Sequence, residues 1–391
     1  MATAPVNANL ARAFAPPVME ARRWVAEAAL PADLPLLNVS QAAPVDPPPE
    51  SLRTAMAVAL EQPETHLYGP VLGDAALRET IAEHWSRLHG GTVTPEQVAV
   101  TAGCNQAFCA AVATLAAPGD AVMLPVPWYF NHKMWLDMAG VECIPLPCGE
   151  GMLPDPEAAR AALTDRTRAI TLISPNNPTG AEYPDALLHA FMDLCAERGL
   201  ALILDETYRD FHSGSGAPHT LFSRADWAET LVHLYSFSKV FRLTGHRTGA
   251  LVTGAARLAE AEKFLDTVTI CPPRIGQVAA LHGLRTLSQW VAEERGEILS
   301  RGAALSEIFA DLLPEWRIVS SGAYFAWVEP PHDIPSDTLA RRLVSECGVL
   351  MLPGTMFMLE GGGREALRLA FANADRRGLA DLATRLSRFA P

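Results

Sequence analysis

From about residue 70 the chain alternates short, continuously apolar runs with amphipathic helical stretches, and this alternation restricts it to a small set of folds. A strand that is apolar along its whole length is buried on both faces, so such strands belong in a parallel sheet covered by helices on either side. The runs are Val98–Thr101, Ala121–Leu124, Ala169–Ile173, Ala201–Leu204, Leu231–Tyr235 and Gly249–Thr253. Among them, Asp74–Leu88 carries Leu77, Ile81, Trp85 and Leu88 at helical spacing, Asn105–Ala117 is stopped by Pro118-Gly119, and Asp185–Arg198 ends at Gly199. Ligands of these sheets bind at the carboxyl ends of the strands. Five such ends carry polar residues here: Gly103 to Asn105, Tyr129, Asn177, Asp205, and Ser236 to Lys239.

After about residue 275 the pattern changes. One long helical stretch, Gly276–Leu313, precedes an α+β tail with strands at Tyr324–Val328 and Leu367–Phe371 and a helix at Thr338–Glu346. The expected organisation is a large domain over 51–275 and a small C-terminal domain over 276–391, which the N-terminal segment 1–50 joins. A chain of 391 residues suffices for two domains. The proline cluster Pro44–Pro49 reads as an extended connector.

Only three of the 31 basic residues are lysines: Lys133, Lys239 and Lys263. Lys239 stands in Ser236-Phe237-Ser238-Lys239-Val240-Phe241-Arg242-Leu243-Thr244-Gly245-His246-Arg247, with hydroxyls one and three residues before it and Arg247 eight after. An amine that must attack an aldehyde, beside groups that hold a phosphate, is what a pyridoxal 5'-phosphate Schiff-base site requires. That cofactor withdraws electrons only while its pyridine nitrogen is protonated, which calls for a facing carboxylate, and Asp205 closes the strand Ala201–Leu204. Tyr208 and Asn177 are candidate donors to the cofactor's phenolic oxygen. Arg247 offers a planar fork to the phosphate, with Ser236 and Ser238 as neutral donors. The turn Gly103-Cys104-Asn105 opens a helix, where backbone N–H groups favour a phosphate.

Taken singly, each residue has an ordinary explanation. Asp205 and Tyr208 would be structural hydrogen-bonders, Asn177 a turn residue before proline, Tyr129 and Trp128 core aromatics, and Arg368 an edge-strand arginine facing solvent. Lys133 and Lys263 read as solvated surface amines. Joint occurrence in one order, at successive strand ends, outweighs these readings.

Composition removes other classes. A net charge of −13 argues against nucleic acid or an anionic membrane as partner. The seven cysteines include no C-x-x-C pair, so neither a metal site nor a disulfide framework is expected, and free thiols suit a cytoplasmic protein. Met1–Ala15 has a lone Arg12 and no apolar run of leader type, and no stretch approaches 18 apolar residues.

The chain resembles the class I/II aminotransferases, pyridoxal-phosphate enzymes of fold type I, over nearly its whole length. The resemblance rests on Ser174-Pro175-Asn176-Asn177-Pro178-Thr179-Gly180, Asp205-Glu206-Thr207-Tyr208, Ser236-Phe237-Ser238-Lys239 with Arg247, and Leu367-Arg368-Leu369-Ala370-Phe371-Ala372. It implies an α/β fold with a mostly parallel large-domain sheet and a smaller α+β domain. It further implies that Lys239 is the catalytic anchor and proton carrier, that Asp205 binds the pyridine nitrogen, and that Asn177 and Tyr208 bind its phenolic oxygen. Tyr129 matches the ring that stacks on the cofactor, and Arg368 the arginine that takes the substrate's α-carboxylate. Tyr68, in Tyr68-Gly69-Pro70-Val71-Leu72-Gly73, matches a tyrosine that reaches the phosphate in the other subunit of a homodimer.

The chain also departs from the family. Gln41-Ala42 stands where Gln-Gly is common in a loop that touches substrate, so the Ala42 side chain is expected to narrow the site. Cys104 replaces a frequent glycine in the phosphate turn. The run Asp266-Thr267-Val268-Thr269-Ile270-Cys271-Pro272-Pro273 lacks the arginine with which aspartate-specific members meet a distal carboxylate. The expected activity is therefore transfer of an amino group from a neutral, apolar or aromatic α-amino acid to a 2-oxo acid. Trp128, Tyr129 and Tyr324 would form the apolar wall, and Arg274 or Arg242 would swing in for glutamate. A β-lyase or decarboxylase of the same fold is the nearest alternative. A cofactor-sensing transcription regulator is more remote, because residues 1–50 hold only Arg12, Arg22 and Arg23 as basic residues. A dinucleotide dehydrogenase is more remote still, since Gly214-Ser215-Gly216 follows no apolar run.

Overall fold

The computed structural model describes residues 4–30 and 34–390. Seven strands form its main sheet: β1 Val98–Thr101, β2 Ala121–Val126, β3 Glu142–Pro147, β4 Thr167–Ile173, β5 Ala201–Asp205, β6 Leu231–Ser236 and β7 Gly249–Val252. Their spatial order is β1-β7-β6-β5-β4-β2-β3. All neighbours run parallel except β7, which is antiparallel to both β1 and β6. β1, β2, β5, β6 and β7 are buried at every position, as continuous apolar strands require.

Two apolar clusters cover the two faces of this sheet. One includes Leu77, Ile81, Trp85, Phe191, Leu202 and Leu204; the other includes Phe108, Leu136, Val122, Ile203 and Leu234. Leu202 and Ile203 fall in different clusters because successive residues of a strand point to opposite faces. Each such fully buried side chain contributes about 1.5–3 kcal/mol of transfer free energy.

A second sheet is antiparallel throughout: β8 Arg317–Gly322, β9 Phe325–Glu329, β10 Leu352–Pro353 and β11 Leu367–Leu369, in the order β10-β11-β9-β8. A two-residue parallel pairing joins Leu37–Asn38 to Val349–Leu350. Ala21, Trp24, Val39 and Ala42 share one buried cluster with residues between Ile298 and Phe389, so the N-terminal segment packs against the C-terminal part of the chain.

Several boundaries differ from the sequence-based expectation. The expected helix Gly276–Leu313 is two helices, Arg274–Thr286 and Ser288–Leu312, interrupted at Leu287. β3 and β8 were not anticipated; β3 holds two prolines at the sheet edge, and β8 is only partly buried. In the helix Ala75–His89 it is His89, rather than Leu88, that is fully buried, because the His89 ring belongs to a polar cluster beneath the sheet.

Candidate active site

The carboxyl ends of β1, β2, β4, β5 and β6 converge on a cavity of about 470 Å³. Its lining includes Cys104, Asn105, Tyr129, Asn177, Asp205, Tyr208, Ser236, Ser238, Lys239 and Arg247, which stand far apart in the sequence.

Lys239 lies in the single-turn helix Phe237–Val240, which Ser236 caps by accepting from the Ser238 N–H at 3.2 Å. The lysine is half-buried, and its Nζ donates to the carbonyl of Ala42. Burial, then the nearby guanidiniums of Arg368 and Arg247, lower its pKa from 10.5 to about 7. A neutral amine at ordinary pH is a nucleophile, whereas an ordinary lysine is almost wholly protonated.

Asp205, at the end of β5, is 4% exposed, and burial raises its carboxyl pKa. Oδ1 accepts the Thr207 N–H at 2.9 Å, and His132 Nε2 stands 3.5 Å from Oδ2. His132 is not a charged partner: burial lowers its pKa to about 3, and its ring stacks on Phe108 at 3.8 Å. Among the described residues the carboxylate therefore faces the cavity without a cation, a costly arrangement unless a ligand provides one.

The phosphate-type features also assemble. The helix Cys104–Leu115 starts at Gly103, whose φ is +88°. A Cβ at Gly103 would collide with the Arg247 guanidinium, so glycine serves both the backbone angle and this close approach. Arg247 itself has φ +49° and donates through Nη1 to Ser238 Oγ at 3.4 Å and to the Thr244 carbonyl at 3.0 Å. Burial holds the Cys104 thiol far above its usual range, so it stays protonated and unreactive.

Tyr129 begins the helix Phe130–Ala139; its hydroxyl accepts from Asn131 at 2.8 Å and donates to Asn105 at 3.4 Å. Burial raises the Tyr129 phenol to about 12 and the Tyr208 phenol well above its ordinary value, so both remain donors. Arg368 overturns its ordinary reading. It sits on the interior strand β11, 2% exposed, over the rings of Phe325 and Phe357 at 4.7 and 4.8 Å. Its Nη1 donates to Asn177 Oδ1 at 2.9 Å and Nη2 to the Ser40 carbonyl, leaving Nε without a partner among the described residues.

Some expected residues are placed otherwise. Ala42 does not line the cavity: its side chain packs in the cluster with Trp24, and Gln41 and Ala43 form the wall instead. Trp128 and Tyr324 are buried outside the lining. Tyr68 is 78% exposed on its own chain, away from this cavity. Residues that the sequence reading missed are His132, Thr207, Asn131 and Arg22. His132 carried a usable signal, one turn after Tyr129 on the same helix face.

A buried group beside the site has metal-like composition. Ligand-type atoms of His89, Glu206, His219 and His233 lie within 4.8 Å of one another. The hydrogen bonds speak against a metal. Trp85 Nε1–H donates to His233 Nδ1 and the Leu221 N–H to His219 Nδ1, both at 3.2 Å. Each ring must then carry its proton on Nε2, aimed at Glu206 Oε2 at 2.8 and 3.3 Å. Two of the three histidines thus present N–H groups rather than lone pairs. Burial alone would raise the Glu206 carboxyl, but His219 and His233 hold it well below its usual range. Arg209, lying 4.0 Å over Trp85 and 4.3 Å over Tyr235, supplies the opposing charge 3.9 Å away. Glu206 and Arg209 directly follow Asp205 and Tyr208, so the group anchors the chain next to both.

The chain as a whole is similar to known proteins. Residues 35–386 match the family model of aminotransferase class I and II. The aspartate/prephenate aminotransferase of Thermus thermophilus is 32% identical over 88% of this chain and 87% of its own length. The arginine–pyruvate transaminase AruH of Pseudomonas aeruginosa is 33% identical over 78% of each chain. A solved structure of a single mutant of T. thermophilus aspartate aminotransferase superposes with a TM-score of 0.89 at 27% identity, covering 99% of this chain and all of that one. The mostly parallel sheet with its smaller antiparallel companion is the fold of these pyridoxal-phosphate-dependent enzymes. Alignment over this length, with the same fold, identifies the chain as a transferase that belongs to the aminotransferase class I and II family.

Proposed function

We propose that Lys239 carries pyridoxal 5'-phosphate, and that the enzyme moves an amino group from an α-amino acid to a 2-oxo acid in two half-reactions at one site. One observation carries the reading: a lysine amine with its pKa lowered to about 7 shares a cavity with a buried, cation-less carboxylate, Asp205. The residues present fit the cofactor, because among the described residues Asp205 lacks a cation and Arg368 Nε lacks an acceptor, and Gly103 leaves room for the Arg247 fork.

When bound, the cofactor supplies an aldehyde for amine exchange and a protonated ring that withdraws electrons from the substrate's Cα. Asp205 would hold the ring-nitrogen proton. Asn177 and Tyr208 would donate to the phenolic oxygen, and the Tyr129 ring would cover one face. Arg247, Ser236, Ser238 and the backbone N–H groups at Gly103-Cys104-Asn105 would hold the phosphate. Arg368 would clamp the α-carboxylate, its second fork freed from the Ser40 carbonyl. The neutral Lys239 amine would take the Cα proton and return it.

A homodimer belongs to the same proposal. Leu67, Tyr68, Val268 and Ile270 are all exposed apolar side chains, and Gly69 contacts both Cys271 and Arg274, so the two segments adjoin on one face. An exposed apolar patch of this kind marks an interface. Division into 1–50, 51–275 and 276–391, and a cytoplasmic setting, complete the reading; no described helix is long and apolar enough to cross a membrane. Tyr129, Ile173 and Tyr208 on the wall suit a neutral or aromatic side chain.

Borohydride reduction of the loaded enzyme, followed by peptide mapping, should place the pyridoxyl group on Lys239; labelling of Lys133 or Lys263 would overturn the site. Product analysis addresses the lyase alternative. Transamination requires an added 2-oxo acid acceptor for continued turnover, whereas elimination releases pyruvate and ammonia without one.

A further inference from the structure

A second cavity, of about 450 Å³, opens between residues 14–20, the start of the helix Phe130–Ala139 and the segment 355–360. It shares no lining residue with the cavity around Lys239. Phe14, Pro17, Met356, Met358 and Leu359 give it an apolar surface, and the proposed reaction uses none of them. A concave space of this size and lining suits a small molecule rather than a macromolecular segment.

Its polar groups are donors on one hand and carboxylates on the other. Trp128 is 5% exposed, and its Nε1–H has no partner among the described residues, a cost that a bound acceptor would remove. Lys133 Nζ lies 5.6 Å over the Trp128 ring and donates to both oxygens of Asp137 at 2.6 Å, which leaves one of its three N–H groups. Its side chain is 19% exposed, so Lys133 is not the solvated surface amine that the sequence suggested. Of the two carboxylates, Glu20 is occupied: it accepts from Trp24 Nε1–H at 2.9 Å, with Arg23 3.4 Å away. Glu360 has no ion pair or hydrogen bond among the described residues.

We propose that this cavity is a second site for an α-amino acid with an apolar or aromatic side chain, separate from the site at which amino groups are exchanged. The ligand's carboxylate accepts from Trp128 Nε1–H and the remaining Lys133 N–H, and its ammonium meets Glu360. Its side chain lies on the methionines, whose unbranched thioethers adapt to different shapes. An organic anion would leave Glu360 unanswered and an organic cation would oppose Lys133; a zwitterion satisfies both.

The backbone joins this cavity to the catalytic wall. Trp128 precedes Tyr129, and its N–H donates to the carbonyl of Phe357 at 2.9 Å. The Phe357 ring lies 4.8 Å from the Arg368 guanidinium, and Pro17 and Glu20 share a helix with Arg22, which lines the catalytic cavity. A bound amino acid therefore bears on the position of the ring proposed to cover the cofactor. Only this coupling rests on the proposed function; the binding does not.

Equilibrium dialysis against labelled L-phenylalanine counts the sites, with the holoenzyme first reduced by borohydride so that no turnover consumes the ligand. Met358→Trp, which fills the cavity, should bind one phenylalanine per chain fewer than the wild type. Glu360→Gln, an exposed change that keeps the fold, should weaken the same site about threefold. Phenethylamine, without the carboxylate, and 3-phenylpropionate, without the ammonium, should compete there at least about tenfold more weakly than phenylalanine. Equal counts in the wild type and Met358→Trp, or an affinity that Glu360→Gln leaves unchanged, overturn the proposal. Equal competition by either analogue overturns the assignment to an amino acid. A chain that takes up no pyridoxal 5'-phosphate strikes the proposed function alone, because the count is then made on the unloaded chain.

Discussion

Arg368 Nη1 donates to Asn177 Oδ1 at 2.9 Å, joining two residues 191 positions apart and tying the small antiparallel sheet to the end of β4. The same two side chains are the proposed grips on the substrate's carboxylate and on the cofactor's phenolic oxygen. Substrate orientation and cofactor electronics therefore share one hydrogen bond.

Arg368→Gln should lower kcat/KM by about 10- to 150-fold, the equivalent of one charge-assisted contact. Steady-state kinetics with any accepted amino acid checks this. KM should rise more than kcat falls, because the α-carboxylate is held in the ground state as well as in the transition state.

Loading of the cofactor-free protein should follow the Lys239 amine. The attacking form is neutral, and its fraction rises with pH through about 7 rather than 10.5. The initial rate of pyridoxal 5'-phosphate uptake should be half-maximal near pH 7; continued increase to pH 10 would contradict the lowered value. The unfolded chain binds this proton below about 10.5 and the folded chain only below about 7, so this lysine makes the cofactor-free protein more stable as pH rises between them.

Asp205→Asn should act in opposite directions on the two forms. In the cofactor-free protein it removes a buried carboxylate without a cation and keeps an acceptor for the Thr207 N–H, so the melting temperature should rise. In the loaded enzyme it removes the partner of the ring nitrogen, and turnover should fall by orders of magnitude. Scanning calorimetry and single-turnover kinetics read the two effects separately.

Glu206→Gln takes the negative charge from beside Arg209, His219 and His233, all buried. Breaking a buried pair from one side costs about 3–5 kcal/mol, measurable as a lower urea midpoint. Added zinc should not raise the wild-type melting temperature; a clear rise would mean that the histidines turn lone pairs inward.

Mixing two inactive chains checks the dimer. Lys239→Ala and Tyr68→Phe subunits, refolded together, should give hybrids holding one site with both native residues, and part of the activity should return. Hybrids that form and stay inactive would place Tyr68 outside the partner's site.

How much was legible in the sequence depends on how local each determinant is. The helix Asp185–Arg198 was readable to its last residue, since apolar spacing and Gly199 are local signals. So were the apolar strands and the order of the polar residues that follow them, because a strand buried on both faces needs an unbroken apolar run. The lysine motif, with its hydroxyls and Arg247, pointed to the proposed cofactor chemistry without any coordinates.

The direction of a side chain in a half-covered sheet is a different matter. Arg368 alternates with apolar neighbours, a pattern that sequence reads as a residue turned to solvent. The interior position of β11, and the Ser40–Ala42 segment brought over it, make that arginine buried instead. Arg22 and the Glu206 cluster were likewise invisible. Their partners lie tens to hundreds of residues away, and no local pattern encodes which helix face will close over a cavity. The sequence by itself determined the strands, the order of the polar residues at their ends and the candidate amine; tertiary packing alone decided which charges are left without partners among the described residues, and those are the ones available to bind.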